Sequence, residues 1–282
     1  MIITKNISKS YGELLALDNI SITIERGEIA GILGPNGAGK TTLFKILTGL
    51  IEATSGTYSI KSDKTKKIGA IIENPHLYEY LNAKDNLKVF AQYQGIKLNS
   101  TDIETLLEAV GLDINRKDQV RNYSLGMKQR LGIATALLNA PDALILDEPF
   151  LGLDPVGMKD LRELLIELAQ EKQMAILISS HQIEELSKVC HQLYLLNKGQ
   201  ITASGTTTEI LHGATQRFRI AGKGLITSPL LEPYEPVQLG DLILIKATKL
   251  EATALLNQLI NEGYEIDEFG PELNLENIYT SQ

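Results

Sequence analysis

One stretch, Gly34-Pro35-Asn36-Gly37-Ala38-Gly39-Lys40-Thr41-Thr42, constrains this chain more than any other. Its G-x-x-x-x-G-K-T spacing belongs to a phosphate cradle set between a buried strand and a helix. The preceding Glu28-Ile29-Ala30-Gly31-Ile32-Leu33 is a short apolar run suited to an interior parallel strand, and Leu43-Phe44-Lys45-Ile46-Leu47 continues with helical spacing. Glycines at 34, 37 and 39 let the backbone bend tightly, so that successive N–H groups and the positive end of the new helix converge on a polyphosphate. Lys40 then reaches the β- and γ-phosphates, and the Thr41 hydroxyl holds Mg²⁺. A glycine-rich turn that merely caps a helix is disfavoured by two flanks that both match.

Charge and cysteine usage narrow the partners. The chain has 282 residues, enough for a sizeable core in one large domain with an appendage or in two modest domains. Lys and Arg number 27 against 35 Asp and Glu, a net charge of −8 with no basic stretch for a phosphate backbone to follow, so no nucleic acid partner is expected. The single Cys190 cannot form an internal bridge and, with four scattered histidines, offers no metal-ligand spacing; a buried thiol in a reducing cytosolic setting is expected. Met1-Ile2-Ile3-Thr4-Lys5-Asn6 lacks the apolar segment of an export signal. No apolar run approaches the roughly 20 residues that cross a bilayer, so a role at a membrane needs another subunit for the crossing.

Ahead of the cradle, Ile2-Ile3-Thr4 and Ile20-Ser21-Ile22-Thr23-Ile24 alternate apolar and polar positions and predict antiparallel strands, with Tyr11-Gly12 between them. The pattern leaves Tyr11 open between a half-buried hairpin residue and a ring that stacks on a ligand. After the cradle helix, residues 49–56 read as a turn region, and Tyr58-Ser59-Ile60 and Ile68-Gly69-Ala70-Ile71-Ile72 as further strands. The second ends in Glu73-Asn74-Pro75, which puts a carboxylate either where nucleotide-binding sheets hold ligands or on a solvated loop. From 82 to about 138 the character is helical. Asn82 is a cap with Asp85 in the first turn, Leu87, Phe90 and Ala91 share a face, and Ile103, Leu106, Leu107 and Val110 repeat the spacing before Gly111. Tyr123-Ser124-Leu125-Gly126-Met127 then leads to an apolar helix over 131–138; Ser124 is an ordinary cap or, with the Gly126 N–H and the helix dipole, an anion site.

Ala143-Leu144-Ile145-Leu146 is a buried strand that ends in Asp147-Glu148, adjacent acids that need a metal, a water or another partner. A helix from Pro155 to about residue 171 follows, with Leu161, Leu164, Leu165 and Leu168 on its core side. The buried strand 174–180 precedes His181, and 192–196 is the last expected core strand, turning at Lys198-Gly199. Beyond about residue 205, strands at 217–220, 242–245 and 264–266 and a helix over 250–262 predict a small α+β appendage. The expected organisation is one domain over 1–205, with a helical insertion at about 76–138, and a small domain over 206–282.

Taken in order, these landmarks resemble an ABC-transporter nucleotide-binding subunit over roughly residues 1–205. Tyr11 falls at the aromatic loop, the cradle at 34–42, Glu73 at the usual glutamine loop, Ser124 in the signature, then Asp147-Glu148, the short loop Leu153-Asp154, and His181. The resemblance implies an α/β fold, a P-loop NTPase core of ABC type with an antiparallel β subdomain and a helical insertion, plus the small α+β C-terminal appendage. It implies ATP and Mg²⁺ as ligands. Tyr11 stacks on adenine; Gly34, Asn36, Gly37, Ala38, Gly39, Lys40, Thr41 and Thr42 surround the phosphates; Thr41, Glu73 and Asp147 serve the metal. Glu148 polarises the attacking water, Lys40 assists, and His181 hydrogen-bonds the γ-phosphate. The family works as a head-to-tail pair, here a homodimer or two paired ATP-binding subunits, so Ser124 and Gly126 of one chain complete the site of the other.

Two departures from the family pattern carry information. The signature is Tyr123-Ser124-Leu125-Gly126-Met127 in place of Leu-Ser-Gly-Gly-Gln, keeping the capping serine and the second glycine. Glu73 replaces glutamine, adding a negative charge near Mg²⁺ and the γ-phosphate. Gly69-Ala70-Ile71-Ile72-Glu73-Asn74-Pro75 with Leu77-Tyr78 and Leu81, and the ending Leu275-Glu276-Asn277-Ile278-Tyr279, resemble the ATP-binding subunits of bacterial exporters of lantibiotics and bacitracin-like peptides. That resemblance implies self-immunity or resistance, a separate membrane-spanning permease, and a peripheral place on the cytoplasmic face of the membrane. Residues 74–95, with Leu77, Tyr78, Tyr80 and Leu81, are the expected docking segment for the permease, although each of these side chains could instead pack on its own domain. Three alternatives share the landmarks: an exporter ATPase for another cargo, a soluble ABC ATPase acting on ribosomes or chromosomes, and an ATP-binding sensor without turnover. The second usually carries two cassettes or a long coiled coil, and neither is present.

Overall fold

The alternating residues at the start of the chain build an antiparallel sheet. In the computed structural model, which describes residues 1–273 apart from 63, 65 and 66, β1 (Ile2–Tyr11) pairs with β2 (Leu14–Ile20) and with β3 (Thr23–Ile24). After β4 (Ile29–Leu33) and α1 (Lys40–Leu47), β5 (Ser55–Ile60) returns to the other edge of β1. Strand β1 runs past the predicted Thr4 to Tyr11, which faces Leu14 across the hairpin. The predicted strand over 20–24 is in fact broken. The Thr4 hydroxyl donates to Ile20 O at 3.1 Å and accepts the Ile22 N–H at 2.8 Å, so a buried side chain stands where a ladder pair would be.

Strands buried on both faces form the middle of the central sheet, as continuous apolar runs require. Its order is β10-β9-β4-β8-β7-β6, where β6 is Ile68–Ile71, β7 Ala143–Leu146, β8 Ala175–Ser180, β9 Gln192–Asn197 and β10 Gln200–Thr206. Strands β4 and β6 to β9 are parallel, and β10 is antiparallel. Strand β9 is therefore not the last of the sheet, as expected from sequence. The Lys198-Gly199 turn sends the chain back along β9, where exposed and half-buried residues make an edge that apolar content alone did not reveal. Because β4, β6, β7 and β8 run the same way, the cradle, Glu73, the two acids and His181 all leave from one edge.

The helical insertion is less continuous than its composition suggested. Helix α2 (Ala83–Tyr93) is capped by Asn82, which accepts the Asp85 N–H, and α3 (Ser100–Ala109) starts at a capping box of Asn99 and Asp102. Gly111, at φ 67°, ends the second, and residues 112–119 form no helix before α4 (Leu125–Ala136). Helix α4 begins at the Ser124 cap, six residues ahead of the predicted 131, and stops two short of 138. Helix α5 (Pro155–Gln170) opens with Asp154 accepting the Gly157 N–H and buries Leu161, Leu164, Leu165 and Leu168; the short α6 (Ile183–Leu186) follows His181.

By its internal contacts the chain divides into two units, Met1–Thr207 and Thr208–Gln282. The second contains α7 (Thr207–Ala214) but for its first residue, β11 (Thr215–Ala221), β12 (Val237–Leu239), β13 (Leu242–Lys246), α8 (Lys249–Asn261) and β14 (Glu268–Leu273). Its antiparallel sheet has the order β12-β13-β11-β14, and Phe218, Ile220, Ile243 and Ile245 cluster with Ala252, Leu255 and Leu259 of α8. The predicted strand over 264–266 is instead the exit from α8. Gly263 takes φ 88° and the Tyr264 N–H donates back to Leu259 O at 3.0 Å, so extended pairing starts only at Glu268. The Leu275-Glu276-Asn277-Ile278-Tyr279 ending lies outside the described residues. Among the described residues no helix is long and apolar enough to cross a membrane.

Candidate functional site

The cradle closes because Gly34 has no side chain. A Cβ there would lie 2.3 Å from Leu196 O of β9, a contact no alanine tolerates without displacing backbone. No side chain caps α1, whose first amides are thereby left for an anion. Lys40, the first residue of that helix, is almost fully buried and folds back over the loop. Its ammonium donates to Gly34 O at 2.7 Å and Pro35 O at 3.3 Å, and lies 3.2 Å from Glu148 Oε1.

Asp147 and Glu148 follow β7 and find different partners. Asp147 is only 3% exposed, and each of its oxygens accepts a hydroxyl, Oδ2 from Thr41 at 2.7 Å and Oδ1 from Ser179 at 2.6 Å. Glu148 turns into the left-handed region at φ 48°, where its N–H donates to Ser179 Oγ at 2.8 Å. Its Oε2 lies 3.1 Å from His181 Nδ1, a bond that needs a proton on that nitrogen while the acid is ionised. Glu148 Oε1 is buried with no hydrogen-bond partner among the described residues, although Lys40 is close enough to balance its charge. Sequence reasoning missed Ser179. The available signal was a pair of serines, Ser179 and Ser180, ending an apolar buried strand just before His181.

A cavity of about 500 Å³ brings most of the expected residues together: Tyr11, the loop from Pro35 to Thr42, Asp147 and Glu148 line it. Leu14, Leu15 and Ala16 join them, none of which sequence reasoning singled out, as do Lys198 and Gly199, expected only as a turn. Tyr11 is 48% exposed, with Lys9 Nζ 5.1 Å from the ring centroid. Five expected residues lie off this lining: Gly34, His181, Glu73, Ser124 and Gly126. Glu73 holds φ 66°, pairs with Lys45 at 3.0 Å and borders a separate hollow of about 490 Å³. Ser124 caps α4 by accepting the Met127 N–H at 3.3 Å, and Gly126 packs near Leu153 of the loop before α5 and Gly157 in its first turn. A larger hollow of about 1110 Å³, lined by residues such as Leu47, Tyr58, Phe90 and Asn139, carries no acid or base pair, so size does not mark the chemistry here. In the 74–95 segment Tyr78 is half-buried, its backbone clasped by Asn86 and its ring 5.7 Å from Phe90, whereas Tyr80 is 65% and Tyr93 78% exposed.

The donor set suits a hard divalent cation that takes most of its ligands from phosphate and water. Among the described residues no three His, Cys, Asp or Glu gather into a metal cluster. Thr41 and Asp147 supply two neighbouring oxygens, and Mg²⁺ in nucleotide sites commonly needs no more from protein. The orphaned Glu148 Oε1 and the ammonium of Lys40 frame the same space.

The chain is similar to known proteins. The ABC transporter family profile matches residues 17–151. Over 274 residues, 94% of this chain and 89% of the relative, the chain is 36% identical to the ABC transporter ATP-binding protein YhcH of Bacillus subtilis strain 168. It is 44% identical to the lantibiotic transport ATP-binding protein SrtF of Streptococcus pyogenes over 206 residues, 71% of this chain and 89% of SrtF. It is 42% identical to the bacitracin transport ATP-binding protein BcrA of Bacillus licheniformis over 206 residues, 70% of this chain and 67% of BcrA. Among solved structures, an ATP-binding cassette captured as a dimer in a post-hydrolysis state with ADP and phosphate superposes with a TM-score of 0.64 at 26% identity, over 73% of this chain and 99% of that one.

Proposed function

Since this chain belongs to the ATP-binding proteins of ABC transporters, whose ATP hydrolysis drives transport, we propose that it powers the export of antimicrobial peptides, of the lantibiotic or bacitracin-like kind, for self-immunity or resistance. The observation that carries the enzymatic part is the convergence of Lys40, Thr41, Asp147 and Glu148 on one cavity beside Tyr11. Lys40 leaves its carbonyl partners to neutralise the β- and γ-phosphates, while the cradle amides take the remaining phosphate oxygens. Thr41 and Asp147 would hold Mg²⁺, with Glu73 close behind once released from Lys45. The ion would supply charge neutralisation across the phosphate oxygens. Glu148 accepts a hydrogen bond from the attacking water, oriented from the other side by His181, which then faces the γ-phosphate. Tyr11 stacks on adenine.

Ser124 and Gly126, which lie off the cavity of their own chain, complete the site of a second copy or a paired subunit. The similarity to SrtF and BcrA supports the cargo. A separate membrane-spanning permease docks on the 74–95 segment, where Tyr80 and Tyr93 stand exposed, and holds the chain on the cytoplasmic face of the membrane.

The test is a susceptible host that expresses the chain with its permease. Wild type should raise the inhibitory concentration of a lantibiotic or of bacitracin, and Glu148→Gln should not, while the purified variant binds ATP without turning it over. Unchanged susceptibility to both peptides with active wild type would remove the cargo; wild-type turnover in the variant would remove Glu148 from the mechanism.

A further inference from the structure

Every residue of β8 is buried, and Ser179 near its end is 0% exposed. A hydroxyl so enclosed needs partners, and Ser179 finds both just past the end of the neighbouring strand. It gives its one proton to Asp147 Oδ1 at 2.6 Å and accepts the Glu148 N–H at 2.8 Å. One side chain thus contacts two consecutive acids, the first at its carboxylate and the second at its backbone. Glu148 needs such a hold, because φ 48° is a conformation that residues with a side chain seldom adopt unaided. The same turn aims the Glu148 carboxylate between Lys40 at 3.2 Å and His181 at 3.1 Å. His181 stands two positions beyond Ser179, so the end of β8 grips Glu148 twice, by its backbone and by its carboxylate.

We propose that Ser179 is a positioning residue for ATP hydrolysis. Its hydroxyl keeps Glu148 in the left-handed turn and fixes the rotation of the Asp147 carboxylate, so that Oδ2 is the oxygen presented to Thr41. The inference rests on the reading of Glu148 as the residue that activates water. Ser179 touches neither the nucleotide nor the water and acts only through the two acids. Removing the hydroxyl strands the Glu148 N–H and lets the carboxylate swing, which slows the chemical step and leaves the phosphate cradle intact.

Four variants of the full chain test this: Ser179→Ala, Ser179→Thr, Ser179→Val and Glu148→Gln. Thr and Val share one shape and differ only in the hydroxyl, which separates hydrogen bonding from packing. Ser179→Ala and Ser179→Val should lower kcat about tenfold, the size expected for one hydrogen bond to a charged group, with KM for ATP within about twofold of wild type. Ser179→Thr should recover most of the rate. Affinity for a fluorescent ATP analogue in EDTA, a readout independent of turnover, should be unchanged in all three. Wild-type kcat in Ser179→Ala, equal losses in the Thr and Val variants, or a loss of analogue affinity parallel to kcat would each overturn the proposal. Should Thr and Val both fail to fold, Ser179→Ala with its KM, kcat and analogue affinity decides alone. Wild-type turnover in Glu148→Gln would instead refute the parent reading, whatever Ser179 does.

Discussion

Gly34→Ala should force the phosphate cradle away from β9. The new Cβ would sit 2.3 Å from Leu196 O and 3.2 Å from the Ala38 Cβ, where ordinary contact begins at 3.4 Å, so the loop must retreat by about 1 Å. The obstacle is backbone of a strand paired on both sides, and Leu196 is fully buried, so the strand cannot yield as a flexible side chain would. Overpacking of this kind costs about 1–3 kcal/mol. At roughly 2–4 °C per kcal/mol, the unfolding midpoint of the nucleotide-binding unit falls by about 2–12 °C. A shift of about 1 Å in groups that hold the reacting phosphate can cost on the order of a hundredfold in rate. Gly37→Ala is the matched control. A Cβ there meets nothing within 4 Å, but φ is 82°, so its cost is strain of roughly 1–2 kcal/mol without a clash. Binding of a fluorescent ATP analogue and steady-state phosphate release should rank Gly34→Ala well below Gly37→Ala, while both should melt below wild type. A Gly34→Ala protein that melts and turns over like wild type would refute the steric argument for the cradle.

Three other outcomes follow from particular contacts. Thr41→Val deletes the 2.7 Å bond to Asp147 and with it an oxygen for the metal, so turnover should fall at least tenfold and its Mg²⁺ dependence shift to higher concentration; an unchanged Mg²⁺ titration would place Thr41 outside the metal's reach. Asp142 accepts from Lys64 and from the Ser62 hydroxyl, and these partners, Lys64 foremost, hold its carboxyl below the usual range of about 3.9. A lowered folded value gives stability that is complete above the unfolded value and is lost as pH falls through the folded one. Asp142→Asn should therefore lower the urea midpoint at pH 7, and the gap to wild type should close as pH falls below the ordinary carboxylate range; a constant gap would contradict the ion-pair account. Burial pushes the Cys190 thiol far above its ordinary value, so native protein at pH 8 should resist iodoacetamide until denaturant is added, and labelling of folded protein at the rate of a free thiol would show that β9 and α6 do not enclose it.

Features whose causes are local were legible in the sequence. The cradle with its two flanks, the caps Asn82 and Ser124, and the core stripe of α5 each depend on residues within a turn or two of one another. The order of landmarks along the chain then indicated the family. Misreadings cluster where a distant partner overrides the local pattern. Thr4 breaks the run over 20–24 from sixteen residues away, β10 becomes a strand because β9 offers an edge, and the exit of α8 delays β14.

Within the site the division follows the same physics. Residue types and spacing by themselves determined a polyphosphate cradle, two acids at a strand end and a histidine on the same sheet edge, because backbone geometry near each motif imposes them. Tertiary structure alone decided how those groups address one another. It joined Thr41 to Asp147 across 106 positions, set Glu148 between Lys40 and His181, tied Glu73 to Lys45, and put an inconspicuous serine of β8 beneath both acids. Hydrogen bonds of about 3 Å between side chains on different strands depend on sheet register and order, and no short window of sequence contains either.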